Sequence, residues 1–129
     1  MRVGRVVHRS AAPDERQVIC VDEAMLPAIA GLDAYSHWIV VFQTVVSARL
    51  ERRDASGGSF GVCATRSRER PSGLGVSVVE YLRRDDELLY VRGLAAVVGD
   101  AVLDIQPYVA TMDAVPLAVS VPAAFDTKD

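Results

Sequence analysis

The apolar residues of this chain come in short, β-branched runs separated by turn-forming residues, and none approaches the roughly 18 residues a membrane-spanning helix requires. That pattern predicts an all-β domain. Arg2–His8 and Gln17–Val21 read as the first two strands, with a turn over Ala11–Glu15 between them. His37–Ala48 is the longest run and reads as a central strand buried on both faces. Phe60–Ala64, Val76–Arg83, Glu87–Gly93, Ala101–Ile105 and Leu117–Val121 follow as strands, with Arg84-Asp85-Asp86 as a tight hairpin turn. Glu51–Ser59 is the most polar stretch and is expected to be a mobile loop, and Ala124–Asp129 is expected to fray. Asp22–Ala30 fits a short helix capped by Asp22, or an irregular crossover around Pro27. About eight strands in this length suggest a small antiparallel β-barrel with at most one or two short helices, in one domain over residues 1–129.

Neither a signal peptide nor a transmembrane segment is visible, so a cytoplasmic protein without membrane association is expected. Cys20 and Cys63 lie far apart in apolar surroundings and are expected to be buried, reduced thiols. With only two histidines, His8 and His37, no metal-ligand spacing appears. The net charge of −3 argues against a general phosphate-binding surface, although arginines cluster at 49/52/53, 66/68/70 and 83/84. Such clusters can form a local anion site.

Chemistry concentrates between Gly61 and Pro107. The run Gly61-Val62-Cys63-Ala64-Thr65-Arg66-Ser67-Arg68-Glu69-Arg70-Pro71-Ser72-Gly73-Leu74-Gly75-Val76-Ser77 resembles the signature G-[VI]-F-A-T-R-S-P-x-R-P-N-P-I-G-[LM]-S of TrmO-like proteins. Val102–Tyr108 resembles the family's V-L-D-I-K-P-Y, Asp113-Ala114-Val115 its D-S-V, and Gly31–His37 its G-L-[ED]-G-[FY]-S-H. The resemblance implies a dimeric β-barrel that binds S-adenosylmethionine near the subunit interface and methylates N6 of threonylcarbamoyl-adenosine in tRNA. It assigns Arg66, Val76, Asp104, Ile105, Gln106 and Pro107 to the cofactor, places Arg70 and Ser72 toward the substrate, and names no catalytic base. In chemical terms Arg66 suits the methionine carboxylate, and Asp104 suits a ribose hydroxyl or the amino group. Gly73 and Gly75 would let backbone amides approach a ligand.

Taken without the motif, the same residues have structural readings. Arg66 would bridge to Glu69 or Glu80, Asp104–Pro107 would be a strand-ending turn, His37 and Tyr108 would be structural, and Arg68 and Arg70 would be solvated. Departures from the family pattern fall at Ser72, Gly73 and Gln106, and at Thr44-Val45 where the family has F-H. Of the family's P-R-Q only Arg16-Gln17 remains. Three functions therefore stand: the tRNA methyltransferase, an S-adenosylmethionine-dependent enzyme acting on a small metabolite, and a non-catalytic binding module.

Overall fold

The computed structural model describes residues 1–10, 15–53 and 57–120. Strands β1 (Gly4–Arg9), β2 (Gln17–Val21), β3 (His37–Gln43), β8 (Leu74–Asp85), β9 (Leu88–Arg92) and β10 (Ala101–Pro107) close into a six-stranded barrel. The order is β1-β10-β3-β8-β9-β2, and every neighbouring pair is antiparallel. Its narrowest seam joins β1 to β10 through two register pairs, Gly4↔Val102 and Arg5↔Ala101. The chain is all-β as expected, and its helices among the described residues are short.

Six strands, not eight, form the ring. The other four are short: β4 (Val45–Val46) pairs in parallel with β7 (Glu69–Arg70), and β5 (Glu51–Arg53) pairs with β6 (Ser59–Gly61). The polar stretch over Glu51–Ser59 thus carries strand pairing on both flanks, while residues 54–56 lie outside the described residues.

Inward and outward residues alternate along β3 and β8. Trp38, Val40 and Phe42 face the core beside Ser77 and Val79, while Leu74, Val76 and Val78 remain 43–51 % exposed on the outside. Full burial of one such side chain is worth about 1.5–3 kcal/mol, so the inner stripe sets the register. Trp38 donates from Nε1 to the Leu32 carbonyl at 3.0 Å and stacks on Tyr81 at 4.7 Å between ring centroids. Ile19, Leu89, Leu94 and Val102 complete the core.

Several sequence expectations require correction. The run His37–Ala48 is not one strand buried on both faces. It breaks at Thr44, whose N–H bonds to the Gly73 carbonyl, and Val45 and Val46 beyond it are exposed. Phe60–Ala64 is strand only to Gly61, then a 3-10 turn over Val62–Ala64. The β8–β9 turn falls on Asp86-Glu87, where Asp86 takes φ 50°, a conformation Asp tolerates better than most residues. Glu23–Ile29 is a 3-10 helix without a side-chain cap, because the Asp22 carboxylate instead accepts from Arg2 Nε at 2.9 Å.

Leu117–Ser120 forms no strand, and Leu117 and Val119 are almost fully exposed. A four-residue helix, α1 (Ala110–Asp113), precedes it. Cys20 is half-buried and Cys63 exposed, both as free thiols. The turn at residues 11–14, Val121 and the segment 124–129 lie outside the described residues. Among the described residues no helix is long and apolar enough to cross a membrane.

Candidate functional site

A cleft of about 530 Å³ lies between the loop of residues 63–70 and the outer face of β8. That volume is in the range of small-molecule sites. Arg66, Arg68 and Arg70 line one side; Val76, Val78 and Ala95 line the other. Two residues assigned to the cofactor by resemblance meet here directly, since the Arg66 NH2 group donates to the Val76 carbonyl. The expected structural bridges of Arg66 are not made: Glu69 accepts from Arg49 at 3.1 Å and Glu80 from Arg92 at 2.8 Å. The remaining guanidinium nitrogens of Arg66 have no partner among the described residues.

The other arginines of the loop are turned inward. Arg68 pairs with Asp100 at 2.8 Å, both side chains being less than one fifth exposed, so it is not a solvated charge. Arg70 donates to the carbonyls of Thr65 at 2.8 Å and Ser67 at 3.3 Å, and is half-buried in the loop. Ser72 Oγ accepts from the Leu74 amide at 3.2 Å within the turn and does not line the cleft. Elsewhere, Arg83 lies 3.9 Å from the Tyr90 ring centroid and bonds Asp85, which raises its guanidinium above the ordinary value. Arg84 Nε donates to the Asp86 carbonyl.

Gly73 and Gly75 are both closely packed, and Gly75 also lines the cleft. Gly73 adopts φ 65°, and a Cβ there would sit 2.5 Å from Val46 Cγ2. Proline, fixed near φ −65°, cannot take this conformation, so the turn is of a different hand from one built on proline. A Cβ on Gly75 would meet the Phe42 ring at 2.5 Å.

Asp104, Ile105 and Pro107 line a second cleft of about 450 Å³, together with Met25, Ile29, Leu32 and Tyr35. The structure therefore divides the assigned residues between two clefts, and strand alternation puts Val76, Asp104 and Gln106 on the outer face while Ile105 and Pro107, in register with Val40 and Trp38, turn to the inner side. Val76 is in register with Val41 on β3, and Val41 with Asp104 on β10. Two strand spacings, about 9.6 Å, separate Val76 from Asp104. Gln106 is exposed on the same face, and its amide donates to Asp104 Oδ2 at 2.9 Å. Asp104–Pro107 is ordered strand, not a terminating turn.

Sequence reasoning missed Ser77, Ala95 and Asp100. Ser77 Oγ accepts from the Ala95 amide at 3.1 Å, which ties the segment between β9 and β10 to the cleft. Nothing in the sequence marks this long-range pairing. Gln17, the end of the P-R-Q match, is fully buried and accepts from the Leu94 amide at 2.9 Å.

The groups of this face fit a zwitterionic nucleoside sulfonium. Arg66 offers a cation for a carboxylate, Val76 and Val78 an apolar bed for a flat base, and Asp104 an acceptor for an amine or hydroxyl.

Comparison with known proteins gives a consistent picture. Residues 7–114 match the family described as the tRNA-methyltransferase O N-terminal domain. A probable S-adenosyl-L-methionine-binding protein of Methanothermobacter thermautotrophicus is 35 % identical over 114 residues, covering 81 % of this chain and 82 % of that protein. The human tRNA (adenine(37)-N6)-methyltransferase is 32 % identical over 92 residues, 67 % of this chain and 21 % of that one. A crystal structure of TrmO from Pseudomonas aeruginosa superposes with a TM-score of 0.75 at 29 % identity, covering 97 % of this chain and 61 % of that chain. Two further relatives are spanned by this chain over only 15 % and 40 % of their length.

Proposed function

Since the chain belongs to the tRNA-methyltransferase O N-terminal domain family, we propose that it is an S-adenosylmethionine-dependent methyltransferase acting on N6 of a modified adenosine in tRNA. The observation that carries the reading is the placement of Arg66, bonded to Val76 at the cleft with guanidinium capacity to spare, on the face that also bears Asp104 and Gln106. The arginine binds the methionine carboxylate, and Asp104 takes the ribose or amino end. Ile105, Gln106 and Pro107 frame that end, and Arg70 holds the loop that receives the acceptor. When bound, S-adenosylmethionine supplies a methyl group already activated on its sulfonium. The chain's own residues then align the acceptor nitrogen and exclude water.

The assembly in this reading is a cytoplasmic homodimer. Leu74, Val76 and Val78 form an apolar row on the outer face, with Val45 and Val46 exposed on the adjoining short strand. A second copy seated there would shelter the cleft, and isologous pairing is the usual geometry of such contacts.

Isothermal titration of the chain with S-adenosylmethionine tests the cofactor. Binding by the wild type and its loss in Arg66→Ala are expected; unchanged binding in Arg66→Ala overturns the assignment. Methyl transfer from labelled cofactor to tRNA carrying threonylcarbamoyl-adenosine, at low stated salt, tests the substrate. Cofactor binding without transfer would turn the reading toward a small-molecule acceptor.

A further inference from the structure

Arg66 is exposed, yet its neighbours are not: Thr65 is 9 % exposed and Ser67 3 %. Surrounding arginines hold them in place. Arg52 on β5 donates to Ser67 Oγ at 2.7 Å, and Arg70 donates to the Thr65 and Ser67 carbonyls. Arg68 reaches the other way, to the segment between β9 and β10. Its NH2 meets Asp100 Oδ2 at 2.8 Å and its NH1 meets the Ala95 carbonyl at 3.3 Å. Asp100 Oδ2 also accepts from the Val97 amide at 3.0 Å. Arg68 thus joins the wall that presents Arg66 to Ala95, which lines the same cleft from the other side.

We propose that Arg68, through its ion pair with Asp100, is a positioning residue that fixes the direction in which Arg66 meets the carboxylate of its ligand. This rests on the assignment of Arg66 to the methionine carboxylate. A charge pair largely withdrawn from water, with further bonds from Arg68 to the Ala95 carbonyl and from the Val97 amide to Asp100, holds its geometry tightly. Thr65 and Ser67 are held by Arg70 and Arg52, and the backbone of residues 68–70 is held by β4. The Arg68–Asp100 bond adds the side-chain tie between this loop and the segment that carries Ala95. The family signature carries proline at the position of Arg68, and proline has no side-chain donor to make the bond.

The test is titration of the full chain with S-adenosylmethionine and with its decarboxylated analogue, which keeps the adenosine and the sulfonium but lacks the carboxylate. Arg68→Ala is expected to weaken S-adenosylmethionine roughly tenfold, equivalent to about 1.4 kcal/mol. The analogue should stay within about twofold of wild type, the usual scatter for an uncoupled change. Asp100→Asn, which preserves shape, should reproduce part of the same selective loss, and Arg68→Lys should restore part of it. Adding Asp100→Ala to Arg68→Ala should cost nothing further. Equal weakening of both ligands would mark a merely structural pair and overturn the proposal, as would selective loss in Arg66→Ala with Arg68→Ala and Asp100→Asn at wild-type affinity. A wild type that binds both ligands equally would instead overturn the carboxylate assignment, and this proposal with it.

Discussion

The guanidinium of Arg66 donates a hydrogen bond to the backbone carbonyl of Val76 across the mouth of the cleft. The alternation of β8 turns the side chain of Val76 outward, 45 % exposed beside the cation. One ligand can therefore meet a charge and an apolar surface at neighbouring points.

Arg66→Lys keeps the charge but loses the planar fork that spans a carbonyl and a carboxylate together. S-adenosylmethionine affinity is expected to fall by about 1.5–3 kcal/mol, the worth of a hydrogen bond to a charged group. Titration calorimetry reads this, and the melting temperature should move little because the side chain is exposed.

Asp104→Ala removes an exposed acceptor from the second cleft without opening the core. Its effect should appear in cofactor affinity and not in thermal stability. An unchanged affinity would remove the β10 motif from the site.

Gly73→Ala and Gly73→Pro should both destabilise the fold, the first by more than about 1 kcal/mol and the second by more still. Alanine meets Val46 and strains at φ 65°, while proline cannot adopt that φ at all. Denaturant melts would register this, and the proline variant is the informative one because it restores the family residue.

Trp38→Phe should cost about 1 kcal/mol through loss of the bond to the Leu32 carbonyl, with the Tyr81 stack retained. Trp38→Ala should cost about 3–5 kcal/mol, as large-to-small changes at fully buried aromatics do.

Much of the ring can be read directly from the sequence. Gln17–Val21 is strand to the residue, and β8, β9 and β10 differ from the alternation pattern only at their ends. What periodicity cannot supply is the competition for backbone partners. The apolar run through Val46 looks continuous, but the Thr44 amide finds the Gly73 carbonyl and Val45 finds β7, so the strand leaves the ring. Leu117 and Val119 alternate like a strand but pair with no strand among the described residues, and the ring itself is closed without them. The site follows the same division. The motif locates Arg66 and Asp104, but the inward turn of Arg68 and Arg70 depends on Asp100 and on loop carbonyls that only the fold brings near.

The two-pair seam between β1 and β10 bears on how the molecule is made. These strands are the first and last of the ring, so the barrel cannot close while the chain is still emerging from the ribosome short of Pro107. Until then β1 can pair only with β2, and its other edge waits. Long-range pairings of this kind slow folding, because most of the chain must be ordered before they form. The outer face that carries Val76 and Asp104 is therefore complete only once the last strand of the ring is in place.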